Sequence, residues 1–173
     1  QRQGNADTLR GVEGVMTMHA REMMPIRCNV LLIGTDPKTG REVERVAAHN
    51  LVVTAGKVLV AQMLADESGY DTGLTYCEVG TGSTAAALSD TALQTSTKRN
   101  AVTLKTRSGN VVQYRTFYAA ADVTALIKEV GLFGHSTAGA GAGTGVLFNR
   151  AIVTFDNTAG TKDLTVVVEI SFG

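Results

Sequence analysis

Leu164-Thr165-Val166-Val167-Val168-Glu169-Ile170-Ser171-Phe172 decides the fold. Leu164, Val166, Val168, Ile170 and Phe172 share one face of an extended chain, while Thr165, Glu169 and Ser171 share the other. Alternation with period two marks a strand buried on one side and wet on the other. Just upstream, Asp156 to Lys162 carries turn chemistry around Gly160 and reads as a hairpin joining Val146–Phe155 to Asp163–Phe172.

The same punctuation recurs towards the N-terminus. Ile26–Ile33 and Arg41–Val53 flank Gly34-Thr35-Asp36-Pro37-Lys38-Thr39-Gly40, where Pro37 presets φ and Gly40 accepts φ > 0. Leu74–Val79 runs into the turn Gly80-Thr81-Gly82-Ser83. Lys98–Arg107 and Asn110–Ala119 flank Ser108-Gly109-Asn110, and Ala125–Phe133 ends at Gly134. About eight short strands with hairpin turns predict an all-β, mainly antiparallel β-sandwich. One short α-helix interrupts them at about 55–66. Thr54 is its candidate N-cap, Val58, Leu59, Met63 and Leu64 keep helical spacing, and Gly69 closes it.

Residues 1–25 read differently and form an N-terminal arm ahead of the β domain at 26–173. The arm holds Gly4, Gly11 and Gly14, mixed charges, and the cluster Met16, Met18, Met23, Met24. Gly14–Met24 suits a short amphipathic helix halted by Pro25. A helix this short is marginal alone in water, so it is expected to order only against a neighbour, with a helix packed on its own domain or a disordered tail as the alternatives.

Composition narrows the function. Sixteen basic and sixteen acidic residues cancel, which removes the broad positive field of a nucleic-acid binder. Trp is absent and aromatics are few, so no stacking platform is expected. No apolar run approaches the roughly 18 residues of a membrane span, and no signal peptide is visible. Cys28 and Cys77 stand far apart, and His19, His49 and His135 are scattered, so no metal site is expected. The cysteines read as two buried thiols on strands, with a disulfide within or between chains as the alternative.

Candidate chemistry is sparse. Ala55-Gly56-Lys57 lacks the earlier glycine of a phosphate loop, since Leu51 stands at that position. The glycine-rich run from Gly134 to Gly145 is not followed by a helical pattern, so it reads as a flexible surface loop, or one that meets a neighbouring subunit. Asp66, Glu67 and Asp71 read as a solvated loop without calcium-loop spacing. No nucleophile elbow occurs. Glu129 is the exception, a carboxylate inside Lys128-Glu129-Val130-Gly131-Leu132-Phe133. Buried there it requires partners, either backbone N–H groups or an arginine such as Arg150 or Arg99, and a structural role is expected. No cofactor and no catalytic residues are predicted.

Five segments occur in order: Asn50-Leu-Val-Val-Thr-Ala-Gly-Lys57, Glu78-Val-Gly-Thr-Gly82, Ser89-Asp-Thr-Ala-Leu93, Glu129-Val-Gly-Leu-Phe133 and the closing strand Leu164–Phe172. This succession resembles small tailed-bacteriophage virion proteins, the head decoration, cement or tail-fibre-like set, over residues 26–173. The resemblance implies a non-enzymatic part of the virion that self-associates, as a trimer or dimer. The expected function is a capsid decoration or cement protein on the outer capsid surface, made in the host cytoplasm. Its partners would be the major capsid protein and neighbouring copies of itself, with no direct nucleic acid and no membrane. The alternative is a tail component, a fibre, adaptor or baseplate protein acting as a connector, which calls for an aromatic-lined groove.

Overall fold

The first hairpin forms where its turn chemistry lies. β1 (Ile26–Thr35) and β2 (Glu42–Val52) run antiparallel. Between them the Asp36 carboxylate accepts the N–H groups of Lys38 at 2.8 Å and Thr39 at 2.9 Å, and Gly40 N–H donates to Asp36 O. This is a computed structural model, and it describes residues 25–173. The expected arm helix at Gly14–Met24 and His19 lie outside the described residues.

After β2 come α1 (Thr54–Leu64), β3 (Leu74–Gly80), β4 (Ser96–Ala101), β5 (Leu104–Ser108), β6 (Val111–Tyr118), a 3-10 turn at Ala120–Asp122, β7 (Leu126–Gly134), β8 (Val146–Asp156) and β9 (Asp163–Phe172). The class is all-β and antiparallel with a single helix, as expected. The strands form one nine-stranded sheet in the order β4-β3-β7-β8-β2-β1-β9-β6-β5, curled into a half-barrel rather than divided into two closed layers. β2 carries the curl. Its residues from Glu42 to His49 pair with β1, and Asn50–Val52 pair with β8.

The two halves of the sheet close on one core. Val30 and Leu32 of β1 and Val166 and Val168 of β9 join Val130 and Leu132 of β7 and Phe155 of β8 in one buried cluster. Each such side chain contributes about 1.5–3 kcal/mol by leaving water. Tyr118, wholly buried, ties the halves with a 2.7 Å hydrogen bond from its hydroxyl to Cys77 O. The alternation in β9 holds at Leu164, Val166, Val168 and Ile170, all buried, but Val167 on the opposite face is also only 6% exposed.

Three local expectations give way to tertiary structure. The run Lys98–Arg107 is two strands, β4 and β5, at opposite margins of the sheet. Between them Val102 N–H donates to Thr75 O in β3 and Thr103 N–H to Arg115 O in β6. The chain therefore crosses from one margin to the other. Likewise β8 and β9 form no hairpin, since β2 and β1 lie between them. Asn157, 2% exposed, shapes their connection instead. Its side-chain amide donates to Val123 O (2.8 Å) and Lys162 O (2.9 Å), and its Oδ1 accepts Lys162 N–H at 3.0 Å. Thr54 begins α1 but caps nothing, and Val53 occupies the N-cap position without a side-chain bond. The helix ends at Leu64, before Gly69. Glu67 N–H returns to Gln62 O and Asp66 N–H to Met63 O, and Asp66 takes φ +53. This is the Schellman pattern, with an aspartate where glycine is usual.

Candidate functional site

The strands β3, β7 and β8 bury residues on both faces, and β4 beside them buries Arg99. One face meets the core. The other lies under two loops, residues 81–95 and 135–145, and carries the buried charged residues of the described chain: Glu78, Arg99, Glu129 and Arg150.

Glu129 is fully enclosed. Its Oε1 accepts the N–H groups of Thr95 at 2.7 Å and Gly82 at 3.0 Å. Its Oε2 accepts Arg150 Nε at 2.8 Å and Gln94 N–H at 2.9 Å. Both kinds of partner expected from the sequence are present together. Arg150 then reaches outward, donating from Nη1 to Asp90 at 2.9 Å and from Nη2 to Thr84 O at 3.2 Å. Asp90 also accepts Ala87 N–H at 2.9 Å. Burial pushes the Asp90 carboxyl up, but the Ala87 N–H and the Arg150 guanidinium outweigh it and hold the group below the usual aspartate range. Loop 81–95 is thus tied to the sheet at both ends and its middle through one carboxylate and one guanidinium.

Gly82 explains the glycine in Glu78-Val-Gly-Thr-Gly82. A Cβ there would stand 2.4 Å from Glu129 Oε1, so only glycine lets the backbone N–H reach the carboxylate. Gly56 has a related role, because a Cβ would meet Phe148 O at 2.0 Å where α1 lies on β8. Ala55-Gly56-Lys57 is a close-packing contact.

The second pair is Glu78 with Arg99, which face one another across β3 and β4. Arg99 Nε donates to Glu78 Oε2 at 2.7 Å, and Nη2 binds the same oxygen. Its Nη1 donates to Thr144 O at 2.7 Å and Thr144 Oγ1 at 3.0 Å. The guanidinium carbon stands 3.7 Å from the centroid of the Phe133 ring, within cation–π range. Thr144 Oγ1 in turn bonds Gly139 and Gly141. The glycine-rich loop expected to be free is therefore fastened to the sheet through Arg99. Sequence reasoning missed this pair. Glu78 gave the same signal as Glu129, an acid between the apolar Cys77 and Val79, whereas Arg99 was assigned to the wrong acid: it binds Glu78, directly opposite on β3, and Arg150 alone is the arginine partner of Glu129.

Four of the five sequence segments meet here. Val53, Leu93 and Phe133 pack together with Leu147 in a small apolar cluster, Thr54 N–H donates to Leu88 O, and Gly82, Asp90 and Glu129 share the polar network. The fifth segment, β9, belongs to the opposite half of the sheet.

The remaining candidates do not converge. His49 is exposed on β2, and His135 packs against Tyr70 with ring centroids 4.5 Å apart. Asp66, Glu67 and Asp71 are exposed after the helix. Among the described residues no three His, Cys, Asp or Glu side chains are grouped to hold a metal. No helix among them is long and apolar enough to cross a membrane. Cys28 and Cys77 are free thiols in the core. Neither a known family, a curated protein nor a solved structure matches the chain.

Proposed function

We propose that the protein is a structural component of a tailed-bacteriophage virion, a capsid decoration or cement protein that bridges major capsid subunits and neighbouring copies of itself. The sequence resemblance suggests the class. The observation that carries the reading is the commitment of Glu129 and Arg150: apart from the bond between them, the side-chain bonds they make fasten loop 81–95 to the sheet. Groups spent in this way make a stiff outer layer, suited to a protein that works through its surface. Many such copies on one lattice gain avidity without any strong single contact.

A second reading, the tail connector, draws support from a different feature. An apolar groove beside α1 contains Tyr114, Phe148 and Phe172, the aromatic lining that a tail adaptor calls for. One experiment separates the two. Purified protein is added to expanded shells that lack it, bound copies are counted, and the bursting temperature is measured. Saturation at a fixed number per lattice unit with a raised bursting temperature supports the cement role. A handful of copies at the tail vertex with no shift supports the connector, and no binding to either overturns both.

A further inference from the structure

The groove beside α1 is where the described chain begins. It has a volume of about 420 Å³ and lies between the helix and the sheet. Its floor includes Leu59 and Ile170, both buried, and its rim includes Met63, 37% exposed, and Leu64, 81% exposed. Phe172 and Tyr114 form the sheet side. An apolar cleft of this size is large enough for several side chains.

Phe172 pairs directly with Ile26, the first residue of β1. Gly173 N–H donates to Pro25 O at 3.2 Å. The 24 residues that precede Pro25 therefore join the domain at the wall of the groove. Those residues hold Met16, Met18, Met23 and Met24, and the fifth methionine of the chain is Met63 on the groove rim. Met16, Ala20, Met23 and Met24 follow the i, i+4, i+7, i+8 spacing of one helical face. Methionine fills irregular apolar clefts and makes favourable sulfur–aromatic contacts.

We infer that the Met16–Met24 segment is the occupant of this groove in its own chain, its methionines covering Leu59, Met63 and Leu64 and meeting Tyr114 and Phe172. Tether length selects the same chain. Met23 and Met24 lie one or two residues from Pro25, and even Met16 is within an extended reach of about 30 Å. A tether so short gives an effective concentration on the order of millimolar, so the segment outcompetes a second copy in dilute solution. The inference does not rest on the virion proposal, and it withdraws the groove as support for the tail-connector reading, since the arm would fill it.

The test uses the intact chain with ¹³C-methyl methionine, whose five signals report the segment and the groove together. Docking in the same chain places arm methyls upfield of their random-coil position, through the rings of Tyr114 and Phe172, independent of protein concentration. The double substitution Met23→Glu with Met24→Glu should return the arm methyls to random-coil positions and move the Met63 methyl. Arm methyls at random-coil positions in the native chain overturn the inference. So do ring-shifted methyls that vanish on dilution together with a dimer in sedimentation, which would assign the groove to a second copy. A Met63 methyl unmoved by the double substitution would overturn it as well.

Discussion

Glu129 on β7 and Arg150 on β8 meet at 2.8 Å although neither is directly opposite the other. Arg150 faces Gly131 across the strands, and Glu129 faces Ile152. The diagonal leaves both carboxylate oxygens able to collect three backbone N–H groups from residues 82, 94 and 95. An ion pair of this kind is costly to desolvate and contributes little net stability against an apolar replacement of the whole pair. Its value lies in specifying where loop 81–95 must lie.

Removing one partner is another matter. Glu129→Ala leaves a buried guanidinium short of a counter-charge and three amides unpaired, and should cost about 3–5 kcal/mol in urea unfolding. Glu129→Gln keeps one acceptor oxygen in the same place. The geometry argues for only partial recovery, since a glutamine amide presents donors where Gln94 N–H and Arg150 also donate. A Glu129→Gln variant as stable as the native chain would refute this account of the site.

Acid should loosen the same loop. The Asp90 carboxyl is held below its ordinary value of about 3.9. It therefore adds stability that is complete above that pH and is lost as pH falls through its lower folded value. Tm measured from pH 6 down to pH 2 should drop below about pH 4, and Asp90→Asn should flatten part of that drop. Asp36 and Asp156, held low by backbone N–H groups, and Glu42, held low by its bond from Arg45, should contribute to the rest. An unchanged slope in Asp90→Asn would remove Asp90 from the account.

The two thiols should be silent in the folded protein. Burial pushes Cys28 up to about 12, against a lowering hydrogen bond from Asn50, and burial likewise pushes Cys77 up to about 12. At pH 8 the thiolate fraction is on the order of one in ten thousand. A thiol reagent should find no sites in the native chain and two after denaturation. Because both values are raised, their stabilising contribution is full below about pH 8.5 and is lost as pH rises from there towards 12. Stoichiometric labelling of the native chain would contradict the burial of either residue.

What could be read from the sequence was local. The β1–β2 turn, the β5–β6 turn at Ser108-Gly109-Asn110 and the inward face of β9 depend on neighbours within a few residues. Glu129 was legible for a related reason: a charge in an apolar run announces that it needs partners. The path of the sheet was not legible, because it rests on contacts distant in sequence. Nothing in Ala101-Val102-Thr103-Leu104 signals a break. The break is imposed by Thr75 and Arg115, which take successive N–H groups towards opposite margins. Asp156–Lys162 has the composition of a hairpin, and only the enclosure of the Asn157 side chain by Val123 reveals a crossover.

The end of α1 offers a prediction in the stabilising direction. Asp66 holds φ +53 at the position that terminates the helix, a conformation that costs a residue with a Cβ more than it costs glycine. Its carboxylate also sits at the negative end of the helix dipole, which is unfavourable by a few tenths of a kcal/mol at an exposed site. Asp66→Gly relieves both, offset by the greater freedom glycine gives the unfolded chain, for a net gain of a few tenths to about 1 kcal/mol. Asp66→Asn removes only the charge, so its smaller gain should fade as salt is raised. Asp66→Ala keeps the Cβ and loses the side-chain polarity that eases this conformation, so it should destabilise. Urea melts of the three variants at low and high salt give the ranking glycine, asparagine, native, alanine. Alanine equal to glycine would show that the backbone at residue 66 does not hold the left-handed turn.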